Sequence, residues 1–273
     1  MKSSYYKYFA ALLLFGSNGI VASNINLPSY EIVLLRLLLG SLFLITVFTV
    51  SRQRFTFYRN KHTCLYLFIS ASAMGASWML LYEAYQQVGI SIASLAYYCG
   101  PVIVMILSPF LFRETLTWPK IAGFLTVLAG MCLVNLQALD EGKTIWGLFC
   151  GLMSAFMYAL MVTANKKAKP ESGLENSLLQ LVIGSFIVVA FVSMQKNFVL
   201  SLTTIDWIPV LLLGLLNTGI GCYLYFSSIT DLPVQTVAIC GYLEPLSAVV
   251  FSVLFLHEVL LPLQMLGAVL ILG

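Results

Sequence analysis

The sequence predicts an all-α integral membrane protein of ten transmembrane helices, arranged as two five-helix repeats inserted in opposite directions. Three observations carry that expectation: composition, the length of the apolar runs, and self-similarity along the chain. Of 273 residues, 60% are hydrophobic and 9% charged, against roughly 45–50% and 25% in soluble domains. A soluble chain of this length cannot hide so much apolar surface. The same composition excludes disorder, coiled coil and collagen. A net charge of +3, with no basic patch apart from membrane-flanking positions, excludes nucleic-acid binding. The apolar runs are about 20 residues long, whereas barrel strands would alternate over about 10. Ten such spans use about 200 residues, which leaves short connections and no room for a soluble domain of about 50.

The spans are expected at Tyr8–Ile25, Tyr30–Val50, Cys64–Val88, Ile90–Phe112, Trp118–Leu136, Thr144–Thr163, Asn176–Met194, Trp207–Ser228, Pro233–Leu256 and Leu261–Gly273. The first run, behind Lys2 and Lys7, imitates a signal peptide, but nine further apolar runs favour a first membrane helix. The tenth is short for a span, so it is expected either to be truncated at Gly273 or not to cross fully. Six cysteines (Cys64, Cys99, Cys132, Cys150, Cys222 and Cys240) fall in or beside apolar runs without a CxxC pair and read as small packing residues.

Basic residues set the orientation. With a cytoplasmic N-terminus, the inner segments carry Lys2, Lys7, Arg52, Arg54, Arg59, Lys61, Arg113, Lys120, Lys166, Lys167 and Lys169. The outer segments carry only Lys143 and Lys196. The positive-inside rule therefore predicts two cytoplasmic termini. Trp118, Trp146 and Trp207 begin spans, at headgroup depth, whereas Trp78 lies near the middle of the third.

The internal repeat has an offset of 144 residues. Tyr98, Pro101, Glu114 and Gly123 fall onto Tyr242, Pro245, Glu258 and Gly267 without a gap. A unit of five spans is odd, so the second copy enters the bilayer from the other side. Arg113 and Lys120, placed inside, become His257 and Gln264, placed outside, as an inverted copy requires. Two such halves, residues 1–137 and 144–273, can exchange conformations around a site near the bilayer midplane.

These motifs resemble those of the drug/metabolite transporter superfamily, in its EamA-type ten-helix branch. The resemblance rests on Phe15-Gly16-Ser17-Asn18, on Arg36, on Ala93-Ser94-Leu95 through Pro101 to Arg113-Glu114, and on Leu243-Glu244-Pro245 through His257-Glu258. It covers nearly the whole chain and implies a secondary transporter of a small organic molecule in a cell (inner) membrane, more often an exporter. It further implies a cavity lined mainly by helices 1, 3, 4, 6, 8 and 9, with helices 5 and 10 packed behind. Members move amino acids, nucleotide-related metabolites, choline-like cations and drugs, so the resemblance leaves the substrate open.

An ionisable side chain inside the bilayer costs at least about 2.5–3.5 kcal/mol at a helix centre, which makes each one a functional candidate. Glu244 lies midway along helix 9 and directly before Pro245, whose ring frees a backbone carbonyl. The family often has Glu there, so the resemblance implies shared machinery for gating, proton binding or structure. The bland alternative is a protonated acid bonded to a neighbouring helix. Glu83, in the outer half of helix 3, departs from the apolar or aromatic residue usual in the family. It either sets substrate preference or snorkels to the headgroups. Arg36 stands five residues after Glu31, about 140° away on a helical wheel, so it anchors another helix or a backbone carbonyl. Pro101 and Pro245 are expected in gating or structure.

Trp78, Tyr97, Tyr98, Tyr158, Tyr225 and Tyr242 lie within spans, with Asn18 and Asn217 on helices 1 and 8. Aromatic faces beside carboxylates suit an organic cation at about 0.5–2 kcal/mol per contact, so a cationic or zwitterionic amine is favoured as substrate, then a neutral amino acid. Gly75, Gly89, Gly100, Gly147 and Gly151 are expected to admit close helix contacts. HExxH, GxSxG and P-loop sequences are absent, so no enzyme is expected and transport runs as a facilitator, an exchanger or on an ion gradient. No cofactor is expected. The two histidines, His62 and His257, fall on opposite faces, which excludes a His-rich metal site. Lipid and substrate are the expected partners, with a proton or another ion for coupling; Glu244 and Glu83 are the residues to load a proton. A competing reading, a scaffold or a subunit delivering lipid-linked substrate, predicts no cavity beside Glu244.

Overall fold

The computed structural model describes residues 2–135, 145–194, 207–256 and 262–272, and every regular element among them is helical. The helices are α1 (Lys2–Gly16), α2 (Asn18–Ser23), α3 (Ser29–Val50), α4 (Lys61–Tyr97), α5 (Gly100–Phe112), α6 (Trp118–Asn135), α7 (Ile145–Ala168) and α8 (Gly173–Ser193). They continue with α9 (Trp207–Leu211), a π-helical segment Leu212–Ile220, α10 (Gly221–Ser228), α11 (Val234–Cys240), α12 (Leu243–Leu256) and α13 (Pro262–Leu272). Among the described residues six helical runs are long and apolar enough to cross a membrane, and two shorter apolar helices accompany them. Phe110 and Ile145 are 82% and 91% exposed, a surface that hydrocarbon solvates and water does not. Lys143, Lys196, His257 and Glu258 lie outside the described residues.

Three expected spans are interrupted, and proline accounts for two of the interruptions. A proline lacks the N–H for the i−4 carbonyl and its ring collides with that carbonyl. Four residues before Pro101 stands Tyr97, the last residue of α4; four before Pro245 stands Gly241, where α11 has ended. The spans expected at Ile90–Phe112 and Pro233–Leu256 are therefore each broken at a matching place. Glu244 consequently occupies the first turn of α12 rather than the middle of a continuous helix. The third interruption is at Ser17, between α1 and α2, where the Ser17 hydroxyl donates to the Leu14 carbonyl at 2.7 Å.

Helical residues run unbroken from Lys61 to Tyr97, across the gap expected between Val88 and Ile90. The chain nevertheless reverses there. A methyl group at Gly151 would fall 2.8 Å from the Ala96 Cβ and 3.7 Å from the Ala84 Cβ. A straight helix would hold those alanines about 18 Å apart. Only a turn back between them brings both to one glycine.

Packing partners come in corresponding pairs. α1 packs on α10 and α12, while α7 packs on α4 and α5; α3 lies against α8, α5 against α11, and α6 against α13. Buried amides join the helices where lipid offers no hydrogen bonds. Asn165 and Asn176 donate to each other's side-chain oxygens at 2.9 and 3.1 Å, and Asn176 also donates to the Phe226 carbonyl at 3.0 Å. Glycine admits a close crossing: a Cβ on Gly75 would meet the Gly184 carbonyl oxygen at 2.9 Å and the Ile187 Cβ at 3.0 Å. Gly75→Val therefore forces α4 off α8 and is expected to cost about 1–3 kcal/mol. Thermal unfolding in detergent checks this against Gly19→Ala, whose Cβ meets nothing within 4 Å. Equal midpoints for the two variants would contradict the tight crossing.

One end of the bundle gathers the start of α1, the α3–α4 connection, the end of α5, the α7–α8 connection and the α10–α11 turn. Hydrogen bonds tie them together: Ser4 to Asp231, Thr56 and Phe57 to Glu175, Thr63 to the Ala168 carbonyl, and Lys166 to the turn after α10. Most of the chain's basic residues share this end.

Candidate functional site

The helix interruptions meet in the interior. The Tyr242 hydroxyl, beside the α11–α12 break, donates to the Tyr98 carbonyl at the α4–α5 break over 2.9 Å. These two tyrosines are equivalent under the 144-residue offset, and each sits where the chain has left its helix. Tyr97 contacts the rings of Tyr98 and Tyr158 at centroid distances of 5.6 and 5.5 Å. The Tyr158 and Tyr225 hydroxyls lie 3.3 Å apart. Tyr8 joins Tyr225 at 5.6 Å and donates to the Val237 carbonyl at 2.7 Å. Five of the aromatic side chains singled out from the sequence thus form one connected cluster.

Arg36 reaches into this region from α3. Its Nε donates to the Thr218 hydroxyl at 2.9 Å, and its guanidinium lies 4.5 Å from the Trp78 ring centroid. Thr218 in turn donates to the Leu213 carbonyl five residues back, the bond spacing of the π segment. The neighbouring Asn217 turns towards α1 and donates to the Leu14 carbonyl, the Ser17 hydroxyl and the Asn18 side-chain oxygen at 2.8–3.0 Å. Arg36 was expected to anchor another helix, and Thr218 supplies one such contact; the stacking on Trp78 is additional. A guanidinium carries five N–H donors, and the other four make no hydrogen bond among the described residues.

The Glu244 carboxylate is in the same condition. Its backbone carbonyl accepts from Ser247 at 2.8 Å, but its carboxylate has no hydrogen-bond partner among the described residues. It lies within electrostatic range of Arg36 and of Tyr97, Tyr98 and Tyr158. Sealed polar atoms without a partner do occur, at Glu31, Ser41 and Ser72, and neither Arg36 nor Glu244 is among them. Both side chains, with Trp78, Tyr97, Tyr98 and Tyr158, are half-buried. A guanidinium and a carboxyl deep in the bundle thus each keep vacant hydrogen-bonding capacity among the described residues together with residual accessible surface.

Gly16 positions this region. A Cβ there would lie 1.9 Å from the Ser247 hydroxyl and 2.9 Å from the Glu244 carbonyl oxygen, so α1 touches the first turn of α12. Gly100 does the same for Tyr158, at 2.7 Å from its ring. Pro101 and Pro245 are both buried just inside α5 and α12.

Glu83 stands elsewhere. Its carboxylate accepts from Trp146 at 3.3 Å and from Gln87 at 3.1 Å, which ties it to the headgroup-level indole at the start of α7. Among the described residues Asn18 enters through Asn217. Tyr8 and Thr218 join the neighbourhood without having been singled out from the sequence. Tyr8 was assigned to the edge of a span, and the π segment has no sequence signature that periodicity detects.

Comparison with known proteins agrees with the fold. The model of the EamA-like transporter family matches the chain twice, over residues 3–136 and 145–273, and the chain belongs to that family. An uncharacterized transporter of Bacillus subtilis, YxxF, is 27% identical over 91% of this chain and 80% of its own length. The threonine/homoserine exporter RhtA of Escherichia coli K12 is 27% identical over 85% of this chain and 76% of its own. A protein of known crystal structure superposes with a TM-score of 0.83 at 17% identity, covering 99% of this chain and 95% of that one.

Proposed function

We propose that this chain is a ten-helix secondary exporter that moves a small zwitterionic amine, of the amino-acid type, by alternating access between two inverted halves. The observation that carries the reading is the pair Arg36 and Glu244, of opposite charge type, each deep in the bundle with free hydrogen-bonding capacity among the described residues. A simple cation would be attracted to Glu244 and repelled by Arg36. A zwitterion satisfies both: its carboxylate takes the guanidinium, which suits a carboxylate's two oxygens, and its ammonium takes Glu244. The tyrosine cluster supplies ring faces and hydroxyls for the remainder. RhtA exports substrates of this charge pattern by its name, which agrees with the proposal.

Alternating access is supported by the way packing partners pair under the 144-residue offset and by matched breaks before Pro101 and Pro245. The basic end is read as cytoplasmic, with both termini there and the protein in a cell (inner) membrane. Substrate efflux would be driven by an ion gradient, with Glu244 the residue to carry a proton.

The test is counterflow in proteoliposomes with a panel of neutral amino acids, their decarboxylated amines and quaternary amines. Amino acids are expected to exchange, and the amines to exchange about tenfold less or not at all, since losing a hydrogen bond to a charged group is worth about 1.5–3 kcal/mol. Equal exchange of amine and amino acid would remove the zwitterion assignment. No exchange by any member would remove the transporter reading for this class.

A further inference from the structure

Three side chains from separate parts of the chain grip one short turn at the basic end, and the two charged ones are not needed for the interior site. The gripped segment runs from Ile229 to Gln235: the turn that joins α10 to α11, with the first two residues of α11. Its first half exposes carbonyls at the C-terminal end of α10, which carry partial negative charge; its second half exposes the first N–H groups of α11, which carry partial positive charge. Lys166, near the end of α7, donates from Nζ to the carbonyls of Ile229 at 3.3 Å and Thr230 at 2.6 Å, and also to that of Leu232. Glu114, just after α5, accepts from the Val234 N–H at 2.8 Å through one oxygen and the Gln235 N–H at 3.0 Å through the other. Ser4 of α1 donates to Asp231 at the tip, at 2.8 Å.

Each charge sits on the turn's opposite pole, so the two bind without competing. Five charge-assisted bonds converge on seven residues, of which Ile229, Leu232, Val234 and Gln235 are buried. The offset of 144 residues places Ala22 where Lys166 would have its counterpart, so the lysine half of this arrangement is absent from the other end of the bundle. The turn leads directly into α11, which ends at Cys240, four residues before Glu244.

We infer that Lys166 and Glu114 form a latch that holds the basic end shut, and that its release permits opening of the interior site to that side. Both are positioning residues: they act on the α10–α11 turn and through it on the interior site. The inference rests on the alternating-access reading above.

The test uses the full chain with Cys240 as its only cysteine, in membrane vesicles of both orientations, and reads labelling by a membrane-impermeant maleimide. Lys166→Ala and Glu114→Ala are expected to raise labelling from the basic side by about fivefold or more and to lower it from the opposite side. Lys166→Arg, which keeps a charged donor, and Glu114→Asp are expected to restore the original sidedness partly. A purely structural role would lower yield or raise labelling from both sides alike, and either result overturns the latch. So does unchanged sidedness in folded alanine variants. If the unmodified sequence at these positions shows labelling that substrate never alters from either side, alternating access itself fails, which separates the two failures.

Discussion

Glu244→Gln is expected to reduce substrate exchange by about ten- to a hundredfold while leaving the protein folded. The substitution keeps the shape and one acceptor oxygen but removes the charge, and the lost ammonium contact is worth about 1.5–3 kcal/mol. Folding should survive because the carboxylate makes no hydrogen bond among the described residues, whereas the backbone contacts of the first turn of α12, including Ser247 to the Glu244 carbonyl, are untouched. The neutral amide also cannot carry a proton. Efflux by the unaltered protein should therefore respond to an imposed proton gradient, and residual efflux by the variant should not. Proteoliposome flux with and without a gradient, alongside size-exclusion profiles, checks both parts. A variant with ordinary flux and an ordinary gradient response would place the substrate and the proton on other groups.

How much of this was legible beforehand differs between fold and site. Membrane class and family followed from composition and from duplicated motifs, because hydropathy reports directly which solvent a helix faces. The breaks at Tyr98–Cys99 and Gly241–Tyr242 were hidden, although Pro101 and Pro245 announced them. The clash of a proline falls four residues upstream, inside runs whose apolar character is continuous, so hydropathy reads through it. The reversal between Ala84 and Ala96 had the opposite history: its place matched the expected gap, but helical residues continue across it.

For the site, single residues were readable and their partners were not. Glu244, Trp78 and the tyrosines could be named because polar or aromatic side chains stand out in an apolar run. That Arg36 would stack on Trp78 and bond Thr218, 182 residues away, depends on how α3 packs against the π segment. That Glu83 would pair with Trp146 depends on how α4 crosses α7. A helical wheel contains neither angle.

Arg36 supplies the sharpest test of what the proposed site recognises. Among the described residues, Arg36→Gln leaves Glu244 as the one charge of the proposed site, and such a site favours a monocation over a zwitterion on electrostatic grounds alone. The ratio of amino-acid to decarboxylated-amine exchange should therefore fall by about ten- to a hundredfold, the range set by losing one charge-assisted contact, with the amine gaining in absolute terms. Arg36→Lys separates charge from shape. Lysine keeps the positive charge but has neither the planar fork for two carboxylate oxygens nor the flat face for Trp78, so intermediate selectivity is expected. If glutamine instead depressed amine and amino acid equally, Arg36 would be acting on the helix contact to Thr218 and not on substrate. A gain of amine transport cannot come from damaged packing, which lowers every flux together, and it is that reversal of preference that ties the guanidinium to the carboxylate.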